Sequence, residues 1–153
     1  MGKPSAKEAL LAVLGGMLEG DREMGEMDDV LPGLVGYLDY FARSDFVCAM
    51  VPIPPGPGLE YSGVNGVAEA WQDWGATFNS VRAEAEELRE AEQAVVLFVN
   101  QIAVTKHGGV EMTQPSAMLW LFEGELVARL EFHLDRETAL RAGGLHTAGP
   151  ERD

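Results

Sequence analysis

The hydrophobic positions of this chain change period part-way along it. Behind Ser5-Ala-Lys-Glu8, a capping-box pattern, Ala9, Leu10, Val13, Leu14 and Met17 recur at helical spacing and predict a first helix ending near Gly20. Gly25 and its acidic neighbours read as a linker. Leu31, Leu34, Val35, Leu38 and Phe41 predict a second helix, capped by Asp28 or Asp29, with Pro32 in its first turn and Tyr37 and Tyr40 at its flanks. Residues 45–52 read as a strand. The Pro- and Gly-rich stretch 52–58 reads as a rigid loop, a lip if a pocket lies beside it. After a short return strand at 61–63, Asn65 caps a third helix whose stripe is Val67, Trp71, Trp74 and Phe78.

From about residue 82 the pattern belongs to strands. Runs at 82–89, 94–106, 110–122 and 126–134, separated by tight turns, predict an antiparallel meander. Asp135 then caps a short helix over 135–142, stopped by Gly143 and Gly144. The expected organisation is one domain over 1–145 and a flexible tail over 146–153. Residues 95–99 and 117–122 are apolar at consecutive positions, so both faces of the sheet need a cover. Helices can supply one; a second copy of the chain is the simplest cover for the other, which predicts a homodimer.

Charge narrows the partners. With 25 acidic and 11 basic residues the net charge is −14, which disfavours nucleic acid and anionic membranes. Cys48 is the single cysteine and reads as a small buried hydrophobe. The chain opens without a signal-like leader and has no apolar run of membrane length, which leads us to expect a soluble cytoplasmic protein. The three histidines have no metal-ligand spacing, and neither Gly-Gly pair has the setting of a phosphate cradle, so we expect no metal and no cofactor.

Candidate chemistry concentrates in the last strand. Arg129, Glu131 and His133 share one face by the period of two, and Asp135 continues the spacing; Leu130, Phe132 and Leu134 point the other way. An anion stabiliser, a carboxylate and an imidazole in one row suit acid/base catalysis. The same row also suits a solvated strand face or a dimer seam. Asn100 and Gln101 interrupt an apolar strand, and the inward one needs partners or a ligand.

The stretches Tyr61-Ser-Gly-Val-Asn-Gly-Val-Ala-Glu-Ala-Trp, Leu119-Trp-Leu-Phe-Glu-Gly-Glu-Leu-Val and Asp135-Arg-Glu-Thr-Ala-Leu-Arg-Ala-Gly-Gly-Leu145, in this order of elements, resemble the nuclear transport factor 2-like superfamily and its SnoaL-like, polyketide-cyclase-type branch. The resemblance covers residues 45–145. It implies an α+β fold of the cystatin-like kind: a cone-shaped, curved antiparallel sheet packed against three helices around a deep pocket, usually in homodimers. It further implies cofactor-free acid/base chemistry on a hydrophobic small molecule, or a non-catalytic binding module on the same fold. The positions where ketosteroid isomerases carry their two acids fall on Val51 and near Met118, which cannot move protons. The expected catalytic residues are those of the row on the last strand, His133, Glu131 and Arg129, with Asp135 continuing it. The expected ligand contacts are Tyr37, Trp71, Trp74, Phe78, Gln101, Met118 and Trp120.

Overall fold

The computed structural model describes residues 4–20, 23–52, 58–76 and 78–145. The expected tail at 146–153 and the central part of the Pro-rich loop lie outside the described residues.

Helix α1 (Ala6–Glu19) begins as its sequence dictates. The Ser5 hydroxyl accepts from the Glu8 amide, and the Glu8 carboxylate accepts from the Ser5 amide. The expected linker instead contains a short strand, β1 (Glu23–Glu26), which pairs antiparallel with the later strand Phe78–Ala91 and satisfies part of that strand's edge. Helix α2 (Met27–Phe41) starts earlier than expected, with Glu26 at the cap position and no side-chain cap. Pro32 therefore lies inside the helix, where its missing N–H leaves one carbonyl of the first turn without its helical partner.

Strand β2 (Ala42–Val51), strand β3 (Leu59–Ser62) and helix α3 (Asn65–Gly75) follow. Val64, not Asn65, takes the cap position of α3. Phe78 fits the helical stripe by spacing, yet it is the first residue of β4 (Phe78–Ala91), because α3 has already ended at Gly75. Strands β5 (Ala94–Thr105), β6 (Glu111–Glu123) and β7 (Leu126–His133) form the expected meander, and α4 (Arg136–Ala142) is capped by Asp135 through Thr138.

The sheet corrects the expectation of a cone-shaped, curved, antiparallel one. It is an open, seven-stranded, mixed sheet in the order β1-β4-β5-β6-β7-β2-β3. Strand β2 pairs parallel with β7, in the register Met50 with Phe132 and Val51 with His133. Closure would require the two outer strands to meet. They are four residues long and stand at opposite edges, so the sheet remains open.

Register assigns the faces. On the inner face Met118 lies opposite Phe132 and Leu97, and Trp120 lies opposite Leu130 and Val95; these pack with α1, α2 and α3 in the main core. On the outer face Leu119 lies opposite Val96 and Glu131, and Ala117 opposite Phe98 and His133. Here Ala139 and Leu140 of α4 close a second, smaller core over Val96, Phe98 and Leu119. The inner face is covered by α1, α2 and α3, and α4 of the same chain covers part of the outer face over β5–β7.

Candidate functional site

Alternation along β5, β6 and β7 sends Val99, Gln101, Ser116, Met118 and Phe132 to the inner face, below α3. Trp71 and Trp74, three residues apart on α3, close over them. Val81 and Ala83 of β4, Met50 of β2 and Val30 of α2 complete the walls of a cavity of about 50 Å³. That space holds more than one water molecule, for which about 10–15 Å³ is enough. It adjoins a wider hollow of about 190 Å³ bounded by Pro52, Leu59 and Leu134, and the two share Met50, Trp74, Gln101 and Phe132.

Three polar side chains of this cavity bond in a chain. Trp74 Nε1 donates to Gln101 Oε1 at 2.8 Å, Gln101 Nε2 donates to Ser116 Oγ at 2.9 Å, and Ser116 Oγ donates to the carbonyl of Gln114 at 3.2 Å. Gln101 is thus the inward amide of the pair, while Asn100 donates to Glu86 on the outer side. The indole of Trp71 stands edge-on to Phe132, ring centroids 5.6 Å apart, and its N–H has no partner among the described residues. No titratable side chain is among the described residues that line the cavity. A neighbouring hollow that shares Trp71 and Val81 with the cavity has the carboxylate of Glu26 among its described lining residues, with Gln72 and Asn79.

The row expected to be catalytic is on the opposite face. His133 Nε2 donates to Glu131 Oε1 at 2.6 Å, Arg129 Nε to Glu131 Oε2 at 2.5 Å, and Arg129 also reaches Glu60 of β3 at 2.9 Å. Glu131 and His133 are buried, whereas Arg129 and Glu60 reach solvent. Burial alone would raise the Glu131 carboxyl, but the hydrogen bonds and charges of His133 and Arg129 outweigh it and hold the carboxyl below its usual range. His133 Nδ1 is buried without a partner among the described residues. Asp135 is not in this row: its carboxylate accepts from the Thr138 amide at 3.2 Å and from the Thr138 hydroxyl, as a helix cap.

Of the expected ligand contacts, Trp71, Trp74, Gln101 and Met118 come together in the cavity. Tyr37 and Trp120 line a separate apolar groove between α1 and α2, where the Tyr37 hydroxyl donates to the Ala6 carbonyl at 2.6 Å. Phe78 lines the neighbouring hollow with Glu26. Sequence reading missed Ser116, Phe132, Val99 and Ala83. Ser116 and Phe132 carried a signal, since a period of two puts them on one face with Met118 and Leu130 respectively. Val99 and Ala83 carried none that separates a pocket wall from core.

No protein-family model matches the chain, and no curated protein matches it by sequence. Solved structures do. TerC, co-crystallized with polyporic acid, aligns with a TM-score of 0.54 at 19% identity over 90% of this chain and 96% of its own. A candidate SnoaL-like polyketide cyclase from Jannaschia sp. CCS1 aligns at 0.55 and 10% identity, covering 99% and 98% of the two chains. A nuclear transport factor 2-like protein from Burkholderia pseudomallei K96243 aligns at 0.53 and 18% identity, covering 76% of this chain and 86% of its own. With the order of elements and the seven-stranded sheet, these likenesses establish that the chain has the nuclear transport factor 2-like, SnoaL-like fold.

Proposed function

We propose that this protein binds a neutral, apolar small molecule in the cavity beneath Trp71 and Trp74, and that it works as a ligand-binding module. The observation that carries this reading is the lining. Aromatic, thioether and aliphatic groups surround a few polar atoms that already bond one another through Trp74, Gln101 and Ser116. Such a wall favours apolar surface by about 25 cal/mol per Å² buried and fixes a ligand's orientation through few contacts. Among the described residues that line it there is no titratable side chain to act as acid or base. TerC, similar in fold, was crystallised with an organic molecule, which supports small-molecule binding without specifying the ligand here.

The rival reading, acid/base turnover by Glu131 and His133 assisted by Arg129, requires substrate to reach the outer face under α4. Buried Glu131 and the unpartnered His133 Nδ1 are what favour it. A homodimer in the cytoplasm fits either reading. Val47 and Val51 of β2 are only half-buried on the outer face, and a second copy would cover them. Among the described residues no helix is long and apolar enough to cross a membrane.

The test is titration with the neutral fluorophore N-phenyl-1-naphthylamine, followed by energy transfer from tryptophan. Saturable binding whose transfer falls in both Trp71→Phe and Trp74→Phe, with Trp120 left as a donor in each, is the expected result. Saturable binding with transfer unchanged in both variants would place the ligand elsewhere.

A further inference from the structure

The cavity beneath α3 is small, and its far wall is one side chain thick. Met118 and Val30 line it, and the same two residues line the groove between α1 and α2, which holds about 270 Å³. The groove is almost wholly apolar: Leu10, Leu14 and Met17 of α1 face Leu34 of α2 across it, above Trp120. Trp120 is buried, and its N–H has no partner among the described residues. On the other side, the cavity adjoins the hollow at Pro52 and Leu59. Apolar space therefore runs in three consecutive compartments across the inner face, and the middle one is the narrowest.

We propose that these compartments act as one channel for a neutral long-chain amphiphile, with Met118 as its movable partition; this rests on the ligand-binding reading above. The polar end sits at the Trp74–Gln101 pair, which is shared by the cavity and the outer hollow, and the chain passes Met118 into the α1–α2 groove. Methionine suits a partition because its unbranched thioether has three rotatable bonds and repacks at little cost. A chain suits passage through all three compartments because the middle one, at about 50 Å³, is the smallest, whereas a ring system enters it only from the adjoining outer hollow. It is neutral because no charged side chain of either sign is among the described residues lining any of the three compartments, so a buried charge would have no partner there.

Gly33 makes the groove testable apart from the cavity. It lines the groove and not the cavity, and a Cβ built on it meets nothing within 4 Å, so a leucine side chain at Gly33 can start from the groove wall and extend into the groove. Leucine is also the better helix former, so α2 should be no less stable. A second block is Val13→Trp, at an exposed position on the α1 side of the same groove. The probes are the 1-alkanols from hexanol to dodecanol, read by displacement of N-phenyl-1-naphthylamine.

In the unsubstituted protein, affinity should rise about 3–4-fold per added methylene through dodecanol, the increment for a buried CH₂. In Gly33→Leu and Val13→Trp, hexanol should bind as before while dodecanol loses at least about 10-fold, the worth of two or more methylenes. If hexanol binds but the series is flat beyond it, or if both blocked variants keep full affinity for dodecanol, the channel is wrong and the cavity reading stands. If no alkanol and no fluorophore binds the unsubstituted protein, the cavity reading fails and takes the channel with it.

Discussion

Trp74 donates its indole N–H to the side-chain carbonyl of Gln101 over 2.8 Å, which ties helix α3 to strand β5 at the edge of the cavity. The bond depends on an amide in an apolar strand, and Gln101 is held in turn by donating to Ser116. Gln101→Leu leaves Trp74 Nε1 without its acceptor and deprives Ser116 of a donor. The expected loss is about 1–3 kcal/mol, the cost of orphaning partly buried polar groups. Urea unfolding measures it, and a double-mutant cycle with Trp74→Phe should return a coupling near 1 kcal/mol.

Glu131 makes stability respond to acid. Its folded carboxyl is depressed below the ordinary 4.5, so its contribution is complete above that value and is lost as pH falls through the lower folded value. Glu131→Gln should therefore cost about 2 kcal/mol at pH 7, the range for hydrogen bonds to charged groups. The difference between the two proteins should shrink as the pH drops from 4.5 toward acid, in paired denaturation curves. A gap that stays constant over that interval would mean that the His133 and Arg129 bonds do not stabilise the ionised carboxylate.

Two glycines should respond oppositely to alanine. At Gly66, in the first turn of α3, a Cβ would stand 2.7 Å from the Cβ of Tyr61 and 2.9 Å from its backbone carbon. Neither atom can swing aside, so Gly66→Ala should destabilise by about 1–3 kcal/mol through overpacking. At Gly36 in α2 a Cβ meets nothing within 4 Å, and Gly36→Ala should stabilise by up to about 1 kcal/mol. Thermal melts of the two variants give the comparison directly.

Cys48 is fully buried on the inner face of β2. Burial pushes its thiol up to about 12, partly countered by the charge of Arg129. The nucleophilic thiolate is therefore scarce and shielded in the folded protein. A disulfide reagent such as Ellman's reagent should label Cys48 only as fast as the protein opens, with rates that climb in urea. Rapid labelling in buffer would contradict the burial.

Much of the fold was readable because its signals are local. The Ser5–Glu8 box, the Asp135 cap and the turns of the meander each lie within a few residues. Strand β1 was not, because four residues with two glutamates and a glycine carry no strand pattern; what makes them a strand is the unpaired edge of β4. Phe78 misled because four residues from Trp74 suits a helix, and its ring does meet Trp74, centroids 5.6 Å apart, but from the start of a strand. The parallel pairing of β2 with β7 joins residues about eighty positions apart, beyond any window of local pattern.

The site shows the same division. Alternation correctly separated Arg129, Glu131 and His133 from Leu130 and Phe132, because it depends only on the pleat. Which of those faces meets α3 is a tertiary fact. The neighbouring strand offers apolar partners on both sides, Met118 to Phe132 and Ala117 to His133, so no local preference distinguishes them.

The most direct test sets the two faces against each other in one binding measurement. Ala83→Phe fills the cavity from the β4 wall, and His133→Gln removes the titratable ring from the outer face while keeping a hydrogen-bonding side chain. Both variants are titrated with N-phenyl-1-naphthylamine after circular dichroism has established that each is folded. The account predicts at least about 10-fold weaker binding in Ala83→Phe, equivalent to about 1.4 kcal/mol or more. It predicts binding within about 2-fold of the unsubstituted protein in His133→Gln, since that side chain is on the opposite face of the sheet from the cavity and does not line it. Full affinity in folded Ala83→Phe, with loss of binding in folded His133→Gln, would contradict it and move the site to the outer face.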